Sequence, residues 1–190
     1  SRSKFIQRKK APKDKSTFLK EVKIKPKLFD LSSDHISRAA QLTQKTNQFN
    51  FRTFRYTENE LSKLLSNEKF IMKMCSVSDI FGDHGNVGLL ILEKKNKDLF
   101  FLDSFILSCR ILGRELESWM LQSTLVEIKN LGVNFLEVEY LETDKNKPAK
   151  KFLDNFNQFI KSNSSTNNQG KNLQYIVPTD HVYLDINDIY

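Results

Sequence analysis

The chain has 190 residues, 39% hydrophobic and 28% charged, a balance that suits one globular domain and excludes disordered and collagen-like chains. No apolar run approaches the roughly 18 residues that a membrane-spanning helix needs, so no membrane partner is expected. The formal net charge of +7 is local: residues 1–30 hold 11 Lys and Arg against three Asp and Glu, which leaves the remainder close to neutral.

Residues 1–17 are basic without an apolar core, so they read as a linker and not a signal peptide, with the folded domain at 18–190. This leader offers only Phe5 and Phe18 as stacking platforms, which argues against nucleic acid. The first residue is Ser, which suggests a piece of a longer protein. Two cysteines, Cys75 and Cys109, make no disulfide framework and point to a reducing cytoplasm.

In chain order, residues 18–28 predict a strand with Leu19, Val22 and Ile24 among lysines, and Pro26 suggests an edge position. Ser32, Ser33 and Asp34 open a helix that would run to Gln48, with Ile36, Ala39, Ala40 and Thr43 inward. Thr57 and Glu60 form a capping box ahead of a short helix burying Leu61, Leu64 and Leu65. Residues 70–77 and 87–92 read as strands joined by the turn-rich run 81–86, and 99–107 as a third. Residues 115–131 form a long helix stopped by Gly132. A strand at 135–141 and a helix at 149–159, with a Phe152, Phe156 and Phe159 core stripe, follow. Residues 162–172 read as a polar loop, and 173–177 and 182–186 as closing strands around Pro178.

Strands cluster in this order, so the fold class is α+β with a mixed sheet flanked by helices, not a doubly wound parallel sheet. The unit at 99–141 is the one clear parallel crossover. Its turn, residues 107–115, leads into a helix whose free N–H groups and positive dipole end suit an anion, with Arg110 and Arg114 beside it.

The spacing of Arg110 and Gly113 in this turn resembles the R/Q-x-x-G-x-G/A loop of GNAT acyltransferases, and the element order is similar to theirs. The resemblance implies a GNAT-like fold in which Arg110, Gly113 and Arg114 hold the pyrophosphate of coenzyme A. It also implies that the strands at 99–107 and 135–141 lie parallel and splayed, with a wedge between them that admits a pantetheine arm.

A closer resemblance lies in residues 41–50, QLTQKTNQFN, which are similar to the T-Q-K-T-N-Q-F-N signature of FkbH-like proteins. Three further blocks agree in order: Phe81-Gly82-Asp83, residues 107–114 with Glu117, and Lys145-Asn146. The resemblance implies the C-terminal GNAT-like domain of a protein whose upstream HAD-type domain supplies glyceryl units to an acyl carrier protein, as in methoxymalonyl-carrier biosynthesis for polyketides. No D-x-D-x-[TV] run is present, so the phosphate chemistry of a HAD domain is not encoded here. One departure bears on the cofactor. Glu115 stands where the family has a small residue, and its carboxylate would repel a pyrophosphate more than the single phosphate of a carrier's phosphopantetheine.

Cys109, beside Arg110 at a helix start, is a candidate nucleophile; the alternative is a small buried filler. Glu117, near Met120, Leu121 and Ile128, is a candidate general base or a structural partner for Arg110, Arg52 or Arg55. Asn47, Gln48, Arg52 and Arg55 lie between the first two helices. That segment covers the acceptor side in GNAT folds, so the resemblance makes them substrate-binding; the alternative is a polar loop. Asp83 either joins the site or caps its own turn, and Asn146 is carried over with its motif block as substrate-binding. His35, His84 and His181 have no metal-ligand spacing, so no metal is assigned. Three readings of function follow. They are an acyltransferase-like domain working on carrier-bound acyl groups, a non-catalytic module that docks the carrier, and a coenzyme A-dependent N-acetyltransferase.

Overall fold

The computed structural model describes residues 21–156, 161–167 and 170–180. Strand β1 (Lys25–Asp30) leads through a 3-10 turn (Ser33–His35) into α1 (Ile36–Lys45), and α2 (Glu58–Leu65) follows. Three antiparallel strands come next: β2 (Phe70–Asp79), β3 (Gly82–Lys94) and β4 (Leu99–Leu107). Helix α3 (Leu116–Asn130) crosses over to β5 (Phe135–Leu141), and α4 (Lys147–Phe156), β6 (Lys161–Asn167) and β7 (Gly170–Pro178) complete the described elements. The strands form one seven-stranded sheet in the order β1-β2-β3-β4-β5-β7-β6. Only β4 and β5 pair in parallel, and every other neighbouring pair is antiparallel.

Pleat alternation sends the strand side chains into two cores. One face, with Met72, Met74, Leu89, Ile91 and Ile106, packs on α1 and α2 through Ala39, Leu42 and Leu61. The other, with Cys75, Leu90, Leu92, Phe105 and Leu107, packs on α3 and α4 through Leu116, Met120, Leu125 and Leu153. The α1 face anticipated from period, Ile36, Ala39, Ala40 and Thr43, is buried. At α2 the Thr57 hydroxyl accepts the Glu60 N–H while Glu60 accepts the Thr57 N–H at 2.8 Å, a closed capping box. Helix α3 ends in a Schellman turn: Gly132 N–H donates to Lys129 O, Val133 N–H donates to Ile128 O, and Gly132 holds φ 82°.

Several boundaries differ from the sequence expectation. The first strand begins at Lys25 and lies on the sheet edge, as Pro26 suggested. Val22 and Ile24, expected within it, precede it and are buried as core anchors. Helix α1 stops at Lys45, where Thr46 turns extended. The turn expected at 81–86 is mostly strand, because a tight connection at Ile80–Phe81 lets β3 pair back from Gly82 through bulges. The loop expected at 162–172 is strand, because β6 pairs along β7 despite its polar composition. The linker at 1–17, the strand at 182–186 and Phe159 lie outside the described residues.

At Gly88 the Met120 side chain of α3 packs tightly on the sheet. A Cβ there would lie 2.9 Å from Met120 Sδ and 3.0 Å from Cys75 Cβ. Gly88→Ala is expected to cost about 1–2 kcal/mol by overpacking. Urea denaturation would show it as a lower midpoint, partly restored by adding Met120→Ala.

Candidate functional site

The site is built where the two parallel strands part. β4 and β5 pair only from Leu99–Phe135 to Leu102–Val138, and their C-terminal ends splay. The gap is not open. The segment following α1 runs into it: Leu107 N–H donates to Phe49 O at 3.1 Å, and Leu141 N–H donates to Phe51 O at 2.9 Å. Asn50 bridges Ile106 in antiparallel fashion. The Phe49 and Phe51 rings, each 1% exposed, pack edge-on against Phe105 at 5.4 and 5.1 Å. The wedge expected to admit a pantetheine arm is therefore filled, at this level, by the chain itself.

Arg52 continues this segment and ties the splayed strands together. Its Nη1 donates to Asp103 Oδ1 on β4 at 2.8 Å, and its Nε to Glu139 Oε2 on β5 at 2.7 Å. The guanidinium lies 4.4 Å from the Phe54 ring and 4.8 Å from the Phe101 ring. The Tyr56 hydroxyl donates to the other Asp103 oxygen at 2.8 Å. Burial, reinforced by the Asp103 charge, raises the Tyr56 pKa well above its ordinary value.

The β4–α3 turn separates two clefts. Outside the filled wedge, between α3 and α4, lies a cleft of about 470 Å³. Phe49, Phe152 and Phe156 give it apolar walls, while Gly113, Glu115, Glu117 and Lys151 border it. Gly113 holds φ 78° with nothing within 4 Å of an added Cβ, so backbone is exposed at this mouth. Glu115 is the residue before α3 and has φ 61°, a left-handed conformation that suits glycine. Glu117, in the first turn of α3, is half-buried. Arg114 is 4% exposed and donates to Asp79 Oδ2 at 3.0 Å. The same fully buried oxygen meets His84 Nε2 at 2.7 Å, so this pair anchors the turn to the β2–β3 hairpin.

The second cleft, also about 470 Å³, opens on the α1 face and is bordered by Asn47, Gln48, Ser108, Cys109 and Arg110. The structure thus divides the sequence candidates: Gly113 and Glu117 face one cleft, while Cys109, Arg110, Asn47 and Gln48 face the other. Arg55 is engaged within its own segment, donating from Nη2 to Asn47 Oδ1 at 2.6 Å and from Nη1 to Gln44 O. Asp83 accepts the Gly85 N–H at 2.7 Å, capping its own turn. Asn146 is fully buried: its amide donates to Asn50 O and Leu141 O and accepts from Tyr140 Oη and Thr143 N–H. Burial pushes the Tyr140 hydroxyl up to about 12. Among the described residues no three His, Cys, Asp or Glu side chains come together to hold a metal ion.

The cysteines differ in a testable way. Cys75 is buried and desolvation pushes its thiol up to about 12, whereas Cys109 is exposed. Native chain at pH 8 should take up one equivalent of a thiol reagent, located at Cys109 by peptide mass mapping, and Cys75 should react only after denaturation.

No protein-family profile matches the chain, and no curated protein matches it in sequence. Solved structures do match in shape. The ribosomal-protein-S18-alanine N-acetyltransferase from Escherichia coli aligns over 85% of this chain and 96% of its own, with a TM-score of 0.58 at 13% identity. A GNAT-family protein from Desulfovibrio desulfuricans aligns over 82% and 99%, with a TM-score of 0.60 at 11% identity. The chain has the GNAT acetyltransferase fold. The spermidine N-acetyltransferase from Vibrio cholerae, in complex with coenzyme A and spermine, shares the GNAT fold over 84% of this chain and 98% of its own, with a TM-score of 0.61 at 11% identity.

Sequence reasoning missed Asp103, Glu139, Tyr56, Asp79 and the filling role of Phe49 and Phe51. Asp103 had a usable signal: an acid inside the apolar strand LFFLDSFIL must find a partner. The Asp79–Arg114 pair had none, since 35 residues separate its members.

Proposed function

We propose that this domain transfers an acyl group from a pantetheine thioester, with the arm lying in the cleft between α3 and α4. The observation that carries the reading is that cleft: apolar walls, backbone exposed at Gly113, and a place beside splayed strands in a GNAT fold. A bound thioester supplies the activated carbon, its C–S bond being exchanged for a bond to the acceptor's nitrogen or oxygen, with the acceptor's proton passing to the departing thiolate. Phe49, Phe152 and Phe156 exclude water from the arm, and Glu117, which borders this cleft, is the candidate general base.

Glu115 at the start of α3 favours a donor with one phosphate over the pyrophosphate of coenzyme A. This supports a holo acyl carrier protein as donor or partner, the FkbH-like setting, in which the acyl unit is of glyceryl type and an upstream HAD-type domain performs the phosphate chemistry. The free thiols fit a reducing compartment such as the cytoplasm. A second reading, a carrier-docking module without catalysis, draws on the filled wedge, because the Leu107 and Leu141 N–H groups are already bonded to Phe49 and Phe51. The coenzyme A-dependent N-acetyltransferase reading draws on the fold neighbours.

Calorimetry with apo carrier, holo carrier and coenzyme A separates these readings. The expected result is holo binding at least about tenfold tighter than apo, and coenzyme A binding that strengthens in Glu115→Gly. Intact-mass analysis of acyl-holo carrier incubated with the chain and an amine or hydroxyl acceptor then tests transfer. Equal affinity for apo and holo carrier, with no coenzyme A binding, would rule out a pantetheine arm in this cleft.

A further inference from the structure

We propose that the cleft on the α1 face binds the anionic group of the acceptor, a carboxylate or phosphate monoester held by Arg38, Lys45 and Arg110. The word acceptor rests on the transferase reading; the anion site does not. Arg38, Gln41 and Lys45 stand at i, i+3 and i+7 of α1 and so share one helix face, which Arg110 of the β4–α3 turn meets across the cleft. Asn47, Gln48 and Ser108 add amide and hydroxyl donors, and no carboxylate lines the space.

What points to a ligand is that three cations line one cleft with no acid among them; the protein's buried cations, by contrast, meet acids. Arg52 is paired with Asp103 and Glu139, Arg114 with Asp79, and Lys73 with Asp30 and Glu127. Among the described residues no carboxylate pairs with Arg38, Lys45 or Arg110, although the three share one concave site. Arg38 is nevertheless fixed: its Nε and Nη2 donate to Asn86 O at 2.9 and 2.7 Å, and its Nη1 to Gln41 Oε1. A planar fork oriented by neutral partners keeps its charge available to an oxyanion. Burial, and after it the Arg110 charge, lower the Arg38 pKa. Such a cluster is relieved when an anion enters.

The placement sets the class of occupant. The α1 face is separated by the sheet from the α3/α4 cleft, and the α3/α4 cleft is bordered by Glu115 and Glu117 against Lys151. One turn therefore presents acid to the proposed donor side and base to the opposite side. A small acceptor bearing a negative group is attracted to the α1 cleft, and a polyamine is repelled from it.

Inorganic phosphate and succinate, titrated into the full chain at constant ionic strength, test this. Saturable binding of one or both is expected in the wild type. It should weaken about five- to tenfold in Arg110→Gln and in Lys45→Gln, and further in the double variant. Both side chains are exposed, so thermal unfolding of these variants should match the wild type. Tighter phosphate than succinate assigns a phosphate monoester, and the reverse a carboxylate. Unchanged affinity in the double variant, or no binding at all, overturns the site. Competition by 4′-phosphopantetheine at least about tenfold stronger than by inorganic phosphate, which would seat the donor arm in this cleft, overturns its assignment to the acceptor. If 4′-phosphopantetheine fails to bind while phosphate binding is still lost in the double variant, the anion site stands and the transferase reading falls.

Discussion

Arg52→Met is expected to be among the most damaging substitutions in the domain. Among the described residues Arg52 alone bridges Asp103 and Glu139, whose side chains are 12% and 16% exposed. Removing it leaves two carboxylates facing each other at the splay, a change worth about 3–5 kcal/mol for a buried pair. Against a typical domain stability of about 5–15 kcal/mol, that is a large fraction. Urea denaturation should show it as a marked drop in midpoint. Adding Asp103→Asn should recover more than additivity allows, because the two sites share one network. Arg52→Lys should recover little, since one ammonium cannot reproduce the two-sided fork.

Asn146→Ala should be comparably severe for a different reason. Its amide joins four groups: Asn50 O at 3.2 Å, Leu141 O at 2.8 Å, Tyr140 Oη at 2.8 Å and the Thr143 N–H at 2.8 Å. Alanine leaves buried donors and acceptors unmatched, at a cost of about 2–4 kcal/mol. The damage should also be local. Asn146 holds the segment that fills the wedge, so the Leu107 and Leu141 amides, bonded to Phe49 O and Phe51 O, should exchange hydrogen much faster in the variant. Unchanged protection there would mean that the segment is held by its aromatic packing alone.

Much of the frame was readable from local pattern. The strands at 99–107 and 135–141 were placed to the residue, because apolar runs between turn signals define buried strands well. The capping box at Thr57 and the stop at Gly132 were equally local. Errors arose where pairing overrides composition: β6 is Ser- and Asn-rich yet is held by β7, and residues 82–86 continue a strand that their glycines disguised. The turn at 107–115 was recognisable as the connection from a buried strand into a long helix. Its division into an acidic and a basic side was not, because Arg110 and Arg114 look alike in sequence, and only three-dimensional proximity gives Arg114 to Asp79. The filling of the wedge by Phe49–Phe51 was likewise hidden. The same residues read as a polar connection with scattered aromatics, and nothing local tells which strands they enter.

In the proposed function the α3/α4 cleft receives a pantetheine arm. Amide NMR of the labelled chain titrated with 4′-phosphopantetheine tests it most directly, because the position of the arm is read out residue by residue. Saturable shifts are expected at Gly113, Ser118 and Asn155, which line the cleft, with the Leu107 amide responding through Phe49. A folded spectrum in which those amides stay fixed while others shift, or in which none shift, would contradict it.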